Sequence, residues 1–141
     1  KDEILFYCQD RALDRMLAGV LASRRASPRA DLRLHAVAET HVLTMLDEVE
    51  GATAHLQVDA LTPALRRQIV RKRDRYERAV RRLITEGART GTLIAPDAAL
   101  AARTLLGALN WTATWYRPDG GQRPEEIAAE MARLLVKGLK K

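Results

Sequence analysis

The chain has 141 residues, a formal net charge of +6 at pH 7 and one cysteine, Cys8. This length is enough for one domain with a hydrophobic core, and the ordinary share of apolar residues excludes a disordered chain. A lone cysteine excludes an internal disulfide framework, and the absence of a signal peptide or membrane-spanning run predicts a cytoplasmic protein.

The composition predicts an all-α fold, because Ala, Leu, Arg and Glu are abundant and alternating β-branched residues are scarce. The first predicted helix covers residues 1–25. Ser27 and Pro28 break it and begin a second helix, with Ser27 as the expected N-cap, that runs to about residue 50. A short segment without a clear pattern follows at residues 53–60.

A long third helix is expected to begin at Thr62–Pro63 and to end near Gly87. Nine basic and two acidic residues lie between Arg66 and Arg82, whereas the rest of the chain is close to neutral. Five arginines share a stripe that faces away from the predicted core: Arg67, Arg71, Arg75, Arg78 and Arg82. Such stripes are mostly solvated, and the alternative interpretation is that they bind the phosphates of a coenzyme A tail.

Two helices at residues 97–116 and 124–139 complete the predicted fold. The first is apolar on both faces except for a narrow polar strip, Arg103 and Asn110, so it needs a cover on each side. We therefore expect these helices to pair with a second copy of the chain as a dimeric four-helix bundle. The predicted interface residues are Leu105, Leu109, Ile127, Met131, Leu134 and Leu135.

Aromatic and polar side chains on apolar stripes are the candidates for binding a ligand. Trp111 and Trp115 lie four residues apart and so share a helix face, which suits either a ligand-stacking wall or ordinary core and dimer packing. His41 suits either a polar anchor in a pocket or a buried histidine bonded to a neighbour. The full predicted ligand-binding set is His41, Met45, Arg73, Tyr76, Trp111 and Trp115.

Arg73 lies at the edge of the apolar stripe of the third helix, and a buried guanidinium needs an anionic partner. Glu39 or Asp10 could supply that partner within the chain. The alternative is that Arg73 grips the carboxylate or phosphate of a ligand.

Metal binding, cofactors and catalysis find no support in the sequence. His35 and His41 lie six residues apart, about 240° around a helix, and therefore cannot chelate one ion, while His55 is isolated. No nucleophile–base spacing or glycine-rich phosphate loop is present, so we expect no enzyme and no cofactor.

Three stretches resemble the C-terminal, ligand-binding and dimerising part of TetR/AcrR-type transcriptional regulators. They are KDEIL at residues 1–5, EGARTGTL with the following PD at residues 86–97, and LNWT, WYRPDG and PEEI at residues 109–127. The third stretch is the most specific. It resembles a subgroup that regulates fatty-acid, steroid and aromatic-acid degradation and often answers to acyl-CoA thioesters.

The resemblance implies that residues 1–141 form one ligand-binding and dimerisation domain, and that the family's helix-turn-helix precedes Lys1 and is absent from this chain. It implies a homodimer that senses a small hydrophobic or acyl-CoA effector and releases operator DNA as a repressor. DNA would be bound only through the N-terminal domain. The rival interpretation is a ligand-free helical scaffolding module, which predicts a filled core without a pocket.

Overall fold

Five α-helices account for most of the computed structural model, which describes residues 2–47 and 58–141. They are α1 (Asp2–Ala26), α2 (Ala30–Met45), α3 (Pro63–Thr90), α4 (Ala98–Trp115) and α5 (Pro124–Lys137), and a 3-10 turn at Val58–Ala60 precedes α3. Within the described ranges, extended backbone pairs only at an isolated bridge between Leu93 and Lys140. The all-α prediction is confirmed.

The second helix, α2, lies at the centre of the fold and packs against each of the other four helices. It is therefore buried on more than one side: Leu34, Ala38 and Val42 have no exposed surface, and His41 lies among them. Helices α1 and α3 pack beside each other on one flank, and α4 packs against α3. The apolar core surrounds α2.

Local capping chemistry fixes several helix ends as the sequence predicts. The Thr62 hydroxyl accepts a hydrogen bond from the Leu65 amide at 3.4 Å, and the Asp97 carboxylate accepts one from the Leu100 amide at 3.0 Å. Pro124 occupies the first turn of α5. The end of α3 differs from the one predicted near Gly87: the helix continues to Thr90, and Gly91 ends it with φ of 84°, a left-handed conformation that glycine adopts without a Cβ clash.

The bounds of α2 differ from those predicted. The helix begins at Ala30, because the Ser27 hydroxyl accepts from the Arg29 amide at 3.1 Å and so closes a local turn instead of capping the helix. It ends at Met45, well before residue 50. Residues 48–57, including His55 and part of the predicted irregular segment, lie outside the described residues.

The last two helices pack on α2 and leave a groove between them. The connector that precedes α4 is tied to the end of the chain, since the Ile94 amide donates to the Leu139 carbonyl at 2.6 Å. In the part of the chain that the structure describes, no helix is both long and apolar enough to cross a membrane.

Candidate functional site

A cavity of about 500 Å³ lies between α1, α2, α3 and α4. Leu13 and Met16 of α1 line it together with Met45 of α2 and Leu106 of α4, and these side chains form its apolar wall. The volume falls within the range of pockets that hold small organic ligands. Four of the six predicted ligand-binding residues line this cavity: His41, Met45, Arg73 and Tyr76.

Three polar side chains from three helices form a hydrogen-bonded chain at one side of the cavity. The Nδ1 atom of His41 lies 2.9 Å from the Tyr76 hydroxyl oxygen, and its Nε2 atom lies 2.7 Å from Oδ1 of Asn110. The His41 and Tyr76 rings also stack, with centroids 5.5 Å apart. The chain therefore links α2 to both α3 and α4.

Burial sets the protonation states of this chain. It lowers the pKa of His41 from 6.5 to about 4, against a smaller opposing effect of the Asn110 hydrogen bond, and it raises the pKa of Tyr76. His41 is therefore neutral at pH 7. Because an amide oxygen only accepts, Nε2–H donates to Asn110 and the Tyr76 hydroxyl donates to Nδ1. Both imidazole nitrogens are satisfied.

The rim of the cavity carries charges of both signs. Arg73, Asp74 and Glu77 come from α3, and Arg103 comes from α4. Arg103 Nε lies 3.8 Å from Glu77 Oε1, which also accepts from Arg81 at 2.6 Å. Burial lowers the pKa of Arg73, and the negative charge of Asp59 partly offsets that effect. The rim can therefore meet a polar or anionic end of a ligand.

The two carboxylates predicted as partners of Arg73 are engaged elsewhere. Glu39 binds His35 of the same helix at 2.9 Å, and Asp10 accepts from Lys72 at 2.6 Å. Lys72 is adjacent to Arg73 in sequence but lies on the side of α3 that faces α1. Its ammonium group therefore pairs with Asp10.

The two tryptophans do not line the cavity. Trp111 is 62% exposed and Trp115 is 43% exposed, on the outer side of α4. The cavity meets the same helix at Arg103, Gly107 and Asn110. At about 100° per residue, the mean direction of these three positions lies roughly a quarter-turn from that of the two tryptophans, although Gly107 is only about 40° from Trp111. The cavity of the subunit by itself therefore gives no support to a role of Trp111 and Trp115 as a pocket wall.

Asn110, Arg103 and Leu13 are cavity residues that the predicted set lacks. A signal for two of them was present in the sequence. Arg103 and Asn110 interrupt an otherwise apolar helix at positions seven residues apart, and that spacing places them on one face. A polar strip on an otherwise apolar helix indicates a polar contact on that face.

The arginine stripe on α3 lies away from the cavity. None of its five members, Arg67, Arg71, Arg75, Arg78 and Arg82, is among the residues that line the cavity. Arg75, Arg78 and Arg82 face α1 instead, beside Leu21. The lining of this cavity therefore gives no support to the interpretation that the stripe holds coenzyme A phosphates at its mouth.

Residues 27–139 match the profile of the tetracyclin repressor-like C-terminal domain, which covers most of the chain. The chain belongs to the TetR family. No curated protein matches it in sequence.

Solved TetR-family structures share this fold. The regulator PfmR from Thermus thermophilus is 30% identical, with a TM-score of 0.86 over 99% of this chain and 77% of that chain. A TetR/AcrR regulator from Thermobifida fusca is 31% identical, with a TM-score of 0.81 over 99% of this chain and 73% of that chain. AibR, solved with isovaleryl coenzyme A and operator DNA, is 22% identical, with a TM-score of 0.78 over 96% of this chain and 74% of that chain.

The predicted dimer residues of this TetR-family domain divide into two groups. Leu105, Leu109 and Ile127 are at most 5% exposed, because they pack into the core of their own subunit. Met131 and Leu135 are half-buried, whereas Leu134 is 63% exposed. Leu105, Leu109 and Ile127, which were predicted as dimer-interface residues, therefore contribute to the core of their own subunit.

A second, more apolar groove of about 520 Å³ separates α4 from α5. Leu100 of α4, at 59% exposed, and Leu134 of α5 stand on either side of it, and Ile94 of the connector is 52% exposed at one end. Together with Trp111, these side chains give the two last helices an apolar outer surface.

Proposed function

We propose that this domain senses a small hydrophobic effector, such as the acyl part of an acyl-CoA thioester, and relays its binding to operator DNA. The observation that carries the proposal is the cavity between four helices, in which an apolar wall faces a hydrogen-bonded polar chain and a charged rim. Ligand pockets commonly combine mostly apolar walls with a few placed polar groups.

Each part of the cavity has a role in this proposal. Leu13, Met16 and Met45 contact the acyl chain. Asn110 accepts from His41 through its oxygen, so both donors of its amide NH₂ remain, and we expect one of them to bind a carbonyl oxygen of the effector. The cavity volume suits an acyl group, and a coenzyme A moiety would extend outward past Arg73.

The TetR-family neighbour AibR supports an acyl-CoA effector, because that protein was solved with isovaleryl coenzyme A and operator DNA. At 22% identity the likeness concerns the fold, so the ligand class rests on the cavity of this chain. The rival scaffolding function predicts a filled core, and the cavity weighs against it.

We further propose that the domain forms a homodimer through the outer faces of α4 and α5. The exposed apolar side chains Leu100, Trp111 and Leu134 supply a surface that a second copy would cover. A dimeric regulator reads two half-sites about 34 Å apart, so a small displacement of the reading heads weakens operator binding. Leu13 and Met16 of α1 line the cavity, so a bound effector would contact this helix, and a shift of α1 would release the repressor from DNA.

Thermal unfolding of the purified chain with isovaleryl-CoA, free coenzyme A and isovaleric acid tests the sensor function. An effector at a hundredfold excess over its Kd stabilises the folded state by about 2.7 kcal/mol, which raises Tm by several degrees. The variant Leu106→Trp fills the cavity and should abolish the shift. Leu32→Trp, at a 49% exposed position outside the cavity, is the matched control and should keep it.

Native mass spectrometry of the same sample reads the subunit count and any carried-over ligand. A mass of two chains with a small adduct is expected. A set of acyl-CoA, fatty-acid and steroid-acid ligands that leaves Tm unchanged would contradict the sensor function, and a monomer at micromolar concentration would contradict the dimer.

A further inference from the structure

The contact between α1 and α3 is charge-matched at one end and charge-repulsive at the other. At the matched end, the Lys72 ammonium lies 2.6 Å from carboxylate oxygens of both Asp10 and Asp14. Further along the same contact, Arg24 of α1 faces a row of arginines on α3 across a groove of about 270 Å³.

The row consists of Arg75, Arg78 and Arg82, and among residues 2–47 and 58–141 no acidic side chain lines the groove with them. Among the described residues the structure gives none of these three, nor Arg24, an ion pair, although many other arginines have one; Arg33, for example, binds Glu86 at 3.2 Å. Like charges at i,i+3 and i,i+4 spacing on one helix oppose each other, and a fourth from the facing helix adds to the repulsion.

The floor of the groove is apolar. Leu17 and Leu21 of α1 and Ala79 of α3 lie between the arginines, and Leu21 is 59% exposed although it is a large aliphatic residue. A site with an apolar floor and unopposed guanidinium groups suits a ligand with an organic body and several negative charges. Guanidinium groups bind phosphate oxygens in bidentate fashion, and they do so more specifically than ammonium groups.

We propose that this groove binds a small organic polyphosphate, whose phosphate chain lies along Arg75, Arg78 and Arg82 while its organic body rests on Leu21 beside Arg24. The three α3 arginines span about 10 Å along the helix axis, which suits a chain of phosphate groups lying parallel to the helix. Bound in this way, the ligand neutralises the repulsion and fastens α1 to α3.

This site is separate from the effector cavity, because the two lie on different sides of α3 and share no lining residue. A polyphosphate that fastens α1 to α3 would oppose any effector-driven movement of α1. The site therefore has its own test, which does not depend on the effector.

Isothermal titration of the chain with ATP, at about 0.15 M salt to screen weak surface attraction, tests the proposal. Saturable binding with one site per subunit is expected. The double variant R75Q/R78Q should weaken binding at least tenfold. The double variant R67Q/R71Q removes the same charge from the same helix outside the groove and should stay within threefold of the parent chain.

Leu21→Asp provides a second variant, which places a carboxylate on the exposed groove floor and should abolish ATP binding without a change in Tm. Inorganic pyrophosphate should bind at least tenfold more weakly than ATP, because it lacks the organic body. Absence of saturation at millimolar ATP would overturn the proposal. So would equal losses in the two arginine variants, unchanged binding by Leu21→Asp, or a duplex DNA that displaces ATP from the groove.

Discussion

Nε2 of His41 and Oδ1 of Asn110 lie 2.7 Å apart, and this hydrogen bond joins the central helix α2 to α4. Through its other nitrogen, His41 also reaches Tyr76 of α3. Three helices that border the cavity are therefore fastened by one neutral imidazole, and both stability and ligand binding should respond when that imidazole is protonated or loses a partner.

The depressed pKa of His41 predicts an acid-dependent loss of stability. Because the folded-state pKa is about 4 and the ordinary value is 6.5, only the unfolded chain gains this proton between those two values. The contribution of His41 is therefore complete above pH 6.5 and is lost as pH falls toward 4. The loss amounts to about 3 kcal/mol across the window. Urea unfolding at half-unit pH steps measures it.

The variant His41→Gln should lose most of this slope between pH 6.5 and 4, although its stability at pH 7 is lower. His35→Gln is the matched control, because that ring lies on the same helix but is partly exposed and pairs with Glu39. Equal slopes in the parent chain and in His41→Gln would contradict the assignment of a buried neutral imidazole.

Removal of the amide partner tests the hydrogen bond itself. Asn110→Ala leaves the buried Nε2–H of His41 without its protein acceptor, and we expect a loss of about 1–2 kcal/mol in the free energy of unfolding. Thr114→Ala, at an exposed position one turn along α4, should change stability by less than about 0.5 kcal/mol on the general scale of surface substitutions. If the two variants lose equal stability, the bond contributes nothing.

The helices were predictable where local chemistry decides them. Thr62, Asp97 and Pro124 mark helix starts through a side-chain cap or a fixed φ, and the structure has those starts. The prediction of Ser27 as a helix cap was wrong, because a serine hydroxyl can either cap a helix or close a turn. Sequence spacing does not distinguish these two uses.

The orientation of α4 could not be predicted from sequence. Leu109 and Trp111 lie on different faces of a helix that is apolar all round, so hydrophobic periodicity gives neither face a preference. Packing against α2 and α3 determines which face of α4 is buried: Leu109 is fully buried and Trp111 is 62% exposed. The candidate cavity residues on α2 and α3 were easier to predict, because His41, Met45 and Tyr76 lie on apolar stripes and Arg73 lies at the edge of one.

Because Leu109 is buried in the subunit and Leu134 is exposed, substitutions at these two positions should have different effects. Leu134→Glu places a carboxylate on the exposed face of α5, so it should convert the proposed dimer to a monomer while leaving the subunit folded. Leu109→Ala removes a fully buried side chain and should destabilise the subunit by about 2–5 kcal/mol. Light scattering and thermal unfolding distinguish the two effects.

A matched control for the dimer is Glu130→Gln, which alters an exposed polar position on the same helix and should leave the mass unchanged. If Leu134→Glu remains dimeric, the second copy contacts a surface other than α5.

Two glycines in helices predict opposite responses to the same added methyl group. At Gly87 of α3 a Cβ atom would lie 2.6 Å from Leu93 Cγ and 3.1 Å from Ala30 Cβ, both of them core residues. Gly87→Ala should therefore destabilise the subunit by about 1–3 kcal/mol through overpacking.

At Gly107 of α4 a Cβ atom would meet nothing within 4 Å among the described residues, so Gly107→Ala should stabilise the helix by up to about 1 kcal/mol. Both values come from urea unfolding without effector. A destabilising Gly107→Ala would contradict the open space beside Gly107.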